Sequence, residues 1–80
     1  MRKLDLESLL FFKSVADLGS ITQAARQLNR VQSNVTTRVK NLEERLGVKL
    51  FLRHGNRLTL SADGERLRGY VNRPGFPRHP

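Results

Sequence analysis

Two segments of helical periodicity, joined by little more than Asn29 and Arg30, constrain this chain more than any other feature. The first, Ile21 to Leu28, carries the small residues Ala24 and Ala25, which let a neighbouring helix approach closely. The second lies within "LNRVQSNVTTRVKNLEERLG", Leu28 to Gly47, and repeats apolar residues at Val31, Val35, Val39, Leu42 and Leu46. Helices tied so tightly predict a helix-turn-helix.

The longer helix has a second pattern. At about 100° per residue, Gln32, Ser33, Thr36, Thr37 and Lys40 fall nearly opposite its apolar stripe. Short hydroxyls and an amide can enter a groove and meet base edges and phosphates. Gln offers the paired donor and acceptor that suit adenine, and Thr can place a methyl beside thymine. Any exposed helical face is polar, so the face alone does not decide the matter. Charge does. The chain carries a formal +8, fifteen Lys plus Arg against seven Asp plus Glu, with a pI near 11.4. Between Arg26 and Arg57 the cations Arg26, Arg30, Arg38, Lys40, Arg45, Lys49, Arg53 and Arg57 stand against Glu43 and Glu44. Such a surface seeks polyanions.

The flanks complete the architecture. Leu6, Leu9, Phe12, Val15 and Ala16, broadened by Phe11 and Leu18, predict a core helix from Leu6 to Leu18, with Leu10 on its polar side beside Glu7, Ser14 and Asp17. Gly19 closes this helix and Ser20 opens the next, with Gln23 at capping-box spacing. After Gly47, "VKLFLRHGNRLTL" predicts two short strands around a turn through His54, Gly55 and Asn56. Arg53 and Arg57 bracket that turn, where an arginine can reach a minor groove. Ser61 is placed to cap a fourth helix, with Asp63 and Glu65 in its first turn, ending near Val71 or Asn72. The expected fold is therefore mainly α: a winged helix-turn-helix over 4–61, the start of a linker helix over 62–72, and a disordered or foreign tail over 73–80. Pro74, Pro77 and Pro80 set that last boundary, since their spacing cannot continue a helix.

Composition excludes other classes. Eighty residues make one small domain, which buries about 60% of the surface that its unfolded chain exposes. There is no cysteine, hence no disulfide staple or thiolate metal site. The longest apolar run, "LLFF" at Leu9 to Phe12, is far short of the roughly 20 residues that span a bilayer. We expect a reducing, cytoplasmic setting. Catalysis is not expected, because His54 and His79 are the only histidines and neither has an adjacent nucleophile. Glu43 and Glu44 diverge on a helix and form a solvated face rather than an acid–base pair. No phosphate loop or metal-ligand spacing occurs, so no cofactor or metal is expected.

With these motifs in place, the chain resembles the amino-terminal domain of LysR-type transcriptional regulators. The resemblance runs from about Leu4 to about Val71. It rests on "LESLLFFKSVADLGSITQAARQLN", "VQSNVTTRVKNLEERLGVKLFLR" and "LTLSADGE", in that family's order and spacing. It implies a winged helix-turn-helix on double-stranded DNA, with the third helix in the major groove, the wing near the minor groove and the fourth helix forming a homodimer. By the same resemblance, Gln32, Ser33, Thr36 and Thr37 fall at base and phosphate contacts, Arg53 and Arg57 at wing contacts, and Ser20 and Thr22 where the second helix approaches the backbone. Asn34, Arg38 and Lys40 complete the candidate set.

Departures from the family pattern are informative. Val31 stands where many members have a capping Ser, so Asn29 or Ser33 is expected to cap instead. Thr37 stands where many have Arg, so base preference does not transfer. The family normally continues into an effector-binding domain. Its absence here implies an isolated or truncated DNA-binding domain without a small-molecule effector, and a weak dimer resting on Leu67, Tyr70 and Val71. The alternative is a winged helix that docks a protein and lacks DNA specificity.

Overall fold

The computed structural model describes residues 5–55 and 57–76. Its elements follow in the order α1 (Leu6–Leu18), α2 (Ile21–Leu28), α3 (Gln32–Leu46), β1 (Phe51–His54), β2 (Arg57–Leu60) and α4 (Ala62–Val71). Most helix starts have a side-chain cap. Asp5 Oδ1 accepts from the Ser8 backbone N–H at 2.7 Å ahead of α1. Hydrogen bonds from Ser8, its hydroxyl first and then its N–H, hold the Asp5 carboxyl below the ordinary aspartate value. Ser20 Oγ accepts from the Gln23 N–H at 3.1 Å before α2, and Ser61 Oγ accepts from the Gly64 N–H at 3.0 Å before α4. The start of α3 differs. Its N-cap is Val31, which offers no side-chain acceptor. Neither residue expected to cap it does so. Asn29 turns left-handed at φ 59° to close α2, and Ser33 lies already inside the first turn of α3.

The core has two parts that share Phe51. Phe11 and Val15 of α1, Ala24 and Ala25 of α2, and Val35 and Val39 of α3 pack beneath the helix-turn-helix. Leu9 and Phe12, Leu42, Leu50 and Val71 form the second cluster, where α1, α3 and α4 meet. The Phe12 and Phe51 rings lie 5.4 Å apart, a tilted pair that joins α1 to the wing.

Four expectations change here. Val31 is 67% exposed and Leu46 38% exposed, although both belong to the apolar repeat of α3. Val31 precedes the first helical turn, and Leu46 sits at the rim of a groove shared with Val48, Leu67 and Tyr70. Ser14 is buried rather than on a polar face, because its hydroxyl donates to the Gln27 side chain, and Leu10 is half-buried. Val71 belongs to the core, so it is not available to a partner. The segment from Arg73 to Phe76 is a turn rather than disorder. The Phe76 N–H donates to the Arg73 carbonyl at 3.1 Å, its ring meets Tyr70 edge-on at 5.6 Å, and it packs against the second cluster. The helix ends at Val71, three residues before Pro74, and the chain turns back so that Phe76 is half-buried against that cluster. Leu4, Asn56 and residues 77–80, with His79, lie outside the described residues.

The wing is shorter than the apolar run that predicts it. Only Phe51–His54 pairs with Arg57–Leu60, antiparallel, with Phe51 opposite Leu60 and His54 opposite Arg57. Val48 to Leu50 form the root of the wing instead, outside the paired strands. The Leu50 carbonyl accepts from the Ser61 N–H at 2.9 Å and lies so close to α4 that a Cβ at Gly64 would collide with it. A glycine inside α4 is explained by that approach. Among the described residues, no helix is long and apolar enough to cross a membrane.

Candidate nucleic-acid interface

With Val35, Val39 and Leu42 turned into the core, the outer surface of α3 resolves into three ridges at i, i+4 spacing. Ser33 and Thr37 are exposed on the crest. Gln32, Thr36 and Lys40 run along the flank toward the wing. Asn34 and Arg38 run along the flank toward α1.

Two depressions border the crest. On one side an open concavity of about 750 Å³ is lined by Thr22, Ala25, Arg26, Asn29, Arg30, Val31, Gln32 and Ser33. It lies over the first turn of α3, which has no side-chain cap and whose Asn34 N–H donates to the Val31 carbonyl at 3.1 Å, so the positive dipole end of the helix faces it. On the other side a groove of about 370 Å³ separates α3 from the wing and gathers Thr36 and Lys40 with Lys49 and Arg53. Apolar Ile21, Val39, Phe51 and Leu58 form its walls. Thus Thr22, Gln32, Ser33, Thr36, Thr37, Lys40 and Arg53 occupy one continuous surface. Ser20 lines neither depression; its Oγ caps α2 by accepting from the Gln23 N–H.

The two wing arginines do not act as a pair. Arg53 is opposite Leu58, and Phe51 opposite Leu60, so by strand alternation Arg53 shares the face of Phe51, Leu58 and Leu60. Arg57, opposite His54, lies on the other face with Leu52 and Thr59. Arg53 therefore borders the groove beside α3, and Arg57 points from the outer face.

Arg38 is not on the crest. Its guanidinium lies 2.7 Å from the Glu7 carboxylate and 5.5 Å above the Phe11 ring, which fastens α3 to α1. Glu7 also faces Arg30 at 3.6 Å. Sequence reasoning placed Arg26, Arg30 and Lys49 in the cationic run without assigning them to the site. Their charge was the signal, and the missing element was the fold of α2 and the wing root around α3. Glu43, read as solvated surface, is half-buried, and its Oε2 accepts from the N–H groups of Leu50 at 2.7 Å and Phe51 at 3.3 Å. Glu44 remains exposed. Among the described residues, no three His, Cys, Asp or Glu side chains are grouped to hold a metal ion.

Comparison with known proteins bears on this surface. The family model for "Bacterial regulatory helix-turn-helix protein, lysR family" matches residues 6–65. The chain is 51% identical over 70 residues to the HTH-type transcriptional regulator CzcR of Bacillus thuringiensis subsp. konkukian, covering 88% of this chain and 24% of that protein. It is 54% identical over 65 residues to the uncharacterized HTH-type transcriptional regulator YusT of Bacillus subtilis, covering 81% of this chain and 22% of that protein. The chain thus spans about a quarter of the length of these relatives. Among solved structures, the BenM DNA-binding domain in complex with benA site 1 DNA superposes with a TM-score of 0.81 at 29% identity, covering 85% of this chain and 79% of that one. The CbnR DNA-binding domain–DNA complex gives a TM-score of 0.81 at 29% identity, with coverage of 85% and 78%.

Proposed function

The chain belongs to the lysR family of bacterial regulatory helix-turn-helix proteins, and on that premise we propose that it binds double-stranded DNA sequence-specifically to regulate transcription. α3 enters the major groove, and the wing lies beside the adjacent minor groove. One observation carries this reading. The hydroxyl crest of α3, with the Gln32 amide on its flank, is bordered on both sides by depressions that carry cations among their lining residues, Arg26 and Arg30 on one side and Lys40, Lys49 and Arg53 on the other.

The division of labour follows from position. Gln32 and Thr36, on the ridge nearest the wing, with Ser33 and Thr37 on the crest, meet base edges. Lys40, Arg53, Thr22 and Ser20 meet phosphates. Arg57, on the outer wing face, reaches the minor groove. Asn34 borders the crest, whereas Arg38 touches the backbone only by leaving Glu7. Two copies pair through α4 on symmetric half-sites. Val71 lies in the protein's own core and Leu67 is half-covered, so Tyr70 is the main apolar group that α4 offers. Such a patch is well below the area of a stable interface, and the pair forms weakly without DNA.

A titration of labelled duplex across a salt series tests this. Binding through several phosphates should weaken by at least about a hundredfold between roughly 50 and 200 mM salt, with sedimentation showing monomers at micromolar concentration that pair on the duplex. Salt-indifferent binding, or none, would favour a winged helix that docks a protein through apolar contacts.

A further inference from the structure

We propose that Glu43 is a positioning residue: it fixes the angle of the wing to α3 and thereby sets how strongly the chain discriminates between DNA flanks of different minor-groove width. The inference rests on the DNA-binding reading above and goes beyond it, because Glu43 itself touches no DNA.

The geometry is specific. Glu43 belongs to α3, one turn beyond Val39 and on the flank that continues the ridge of Thr36 and Lys40. Its half-buried carboxylate reaches across the α3–wing groove, where one oxygen accepts both the Leu50 N–H at 2.7 Å and the Phe51 N–H at 3.3 Å. Phe51 is the first residue of β1, so the bond grips the strand where it begins. The same three-residue root is held from the opposite direction. Ser61 N–H donates to the Leu50 carbonyl at 2.9 Å, Ser61 Oγ donates to the Lys49 carbonyl, and the Leu50 side chain is 1% exposed in the core. These contacts tie the root to α4 and to the core, while the carboxylate ties it to the helix that carries the crest.

A charge-assisted hydrogen bond in a partly water-excluded groove is shorter and stronger than a neutral one. Here it links the two elements whose relative angle decides whether both can reach their grooves at once. A hairpin of two four-residue strands magnifies small rotations at its root, because Arg57 lies at its far end. Phe51, Leu58 and Leu60 also pack the wing onto the core, and the Leu58 N–H donates to the Gly19 carbonyl at 3.3 Å in the α1–α2 turn, but the Glu43 carboxylate supplies the directional hydrogen bonds from α3 that fix the angle of the root.

The test uses two duplexes that share one centre selected by the chain and differ only in their flanks, A-tract or G·C-rich. The quantity read is the ratio of the two affinities. A variant that merely folds less well loses affinity for both duplexes by the same factor and leaves the ratio alone, so the ratio isolates positioning from stability. In the unmodified chain it should favour the A-tract, where the minor groove is narrow. Glu43→Ala should bring it to about one, and adding Arg57→Ala should lower it no further. Glu43→Gln, which keeps a carbonyl acceptor without the charge, should fall between. It also serves as the folded comparator if Glu43→Ala does not fold. Residual dipolar couplings on the DNA-free protein provide a second readout, in which the wing amides should reorient relative to those of α3 in the variants. An unchanged flank ratio together with an unchanged wing angle would overturn the proposal. If the unmodified chain bound neither duplex, the DNA-binding reading would fail. An unchanged wing angle in the variants would then overturn the role of Glu43 by itself.

Discussion

The two ends of α3 are built differently. At its C-terminal end Leu42 is 1% exposed, Gly47 turns left-handed and donates its N–H to the Glu43 carbonyl at 2.8 Å, and the Glu43 side chain holds the wing root. At its N-terminal end Val31 is 67% exposed, no side chain caps the first turn, and the surroundings are an open concavity with Arg26 and Arg30 among its lining residues. One end is fastened to the protein and the other is presented. The difference shows where stability and recognition are placed along a single helix. Burial and hydrogen bonding are completed where the fold needs rigidity. They are left incomplete where a polyanion can complete them.

The largest expected effect lies at the fastened end. Leu42→Ala removes a side chain that packs between α1, α4 and Leu50, and such truncations cost about 2 to 5 kcal/mol. A domain of this size has roughly 4 to 12 kcal/mol in total, so the variant should show a markedly lower midpoint in urea and partial unfolding at 37 °C. A loss no greater than that of an exposed substitution would erase the contrast between the two ends.

A smaller effect, of opposite sign, is expected at the presented end. Val31 has an extended backbone, φ −76° and ψ 154°, that a capping serine adopts readily. Val31→Ser should therefore supply the missing acceptor and stabilise the chain by about 0.5 to 2 kcal/mol, measured by chemical denaturation. No gain would mean that the Val31 carbonyl, which accepts from the Asn34 N–H at 3.1 Å, already suffices for that turn, and the contrast between the two ends would then rest on burial alone.

Much of this was legible beforehand, for reasons that particular residues make plain. The stripe Leu9, Phe12 and Val15, punctuated by Gly19 and Ser20, located α1 and α2, because periodicity and capping are local properties. The crest of α3 followed from spacing alone. Glu43 did not. A helical wheel places it beside the apolar stripe, but its partners are backbone N–H groups of Leu50 and Phe51, and only the tertiary path of the chain brings them within reach. Arg38 was likewise grouped with the DNA-facing cations because charge is visible in sequence, whereas its pairing with Glu7 across more than thirty positions is not. Val31 matched the apolar repeat yet lies outside the helix, where the repeat no longer assigns a face. Phe76 was hidden by the prolines around it, since Pro predicts the end of a helix and not what the released chain then packs against.

Sequence selection from a random duplex library, run on the unmodified chain and on two sets of variants, tests the role of the presented face most directly. Gln32→Ala and Thr36→Ala should change which sequences are recovered, with about 1 to 3 kcal/mol lost at the base pair each one reads. Lys40→Ala, on the same ridge, should recover the unmodified preference at uniformly lower affinity, with the salt slope reduced by about one. Identical selection profiles from the two sets would contradict the assignment of this face of α3 as the reader of sequence.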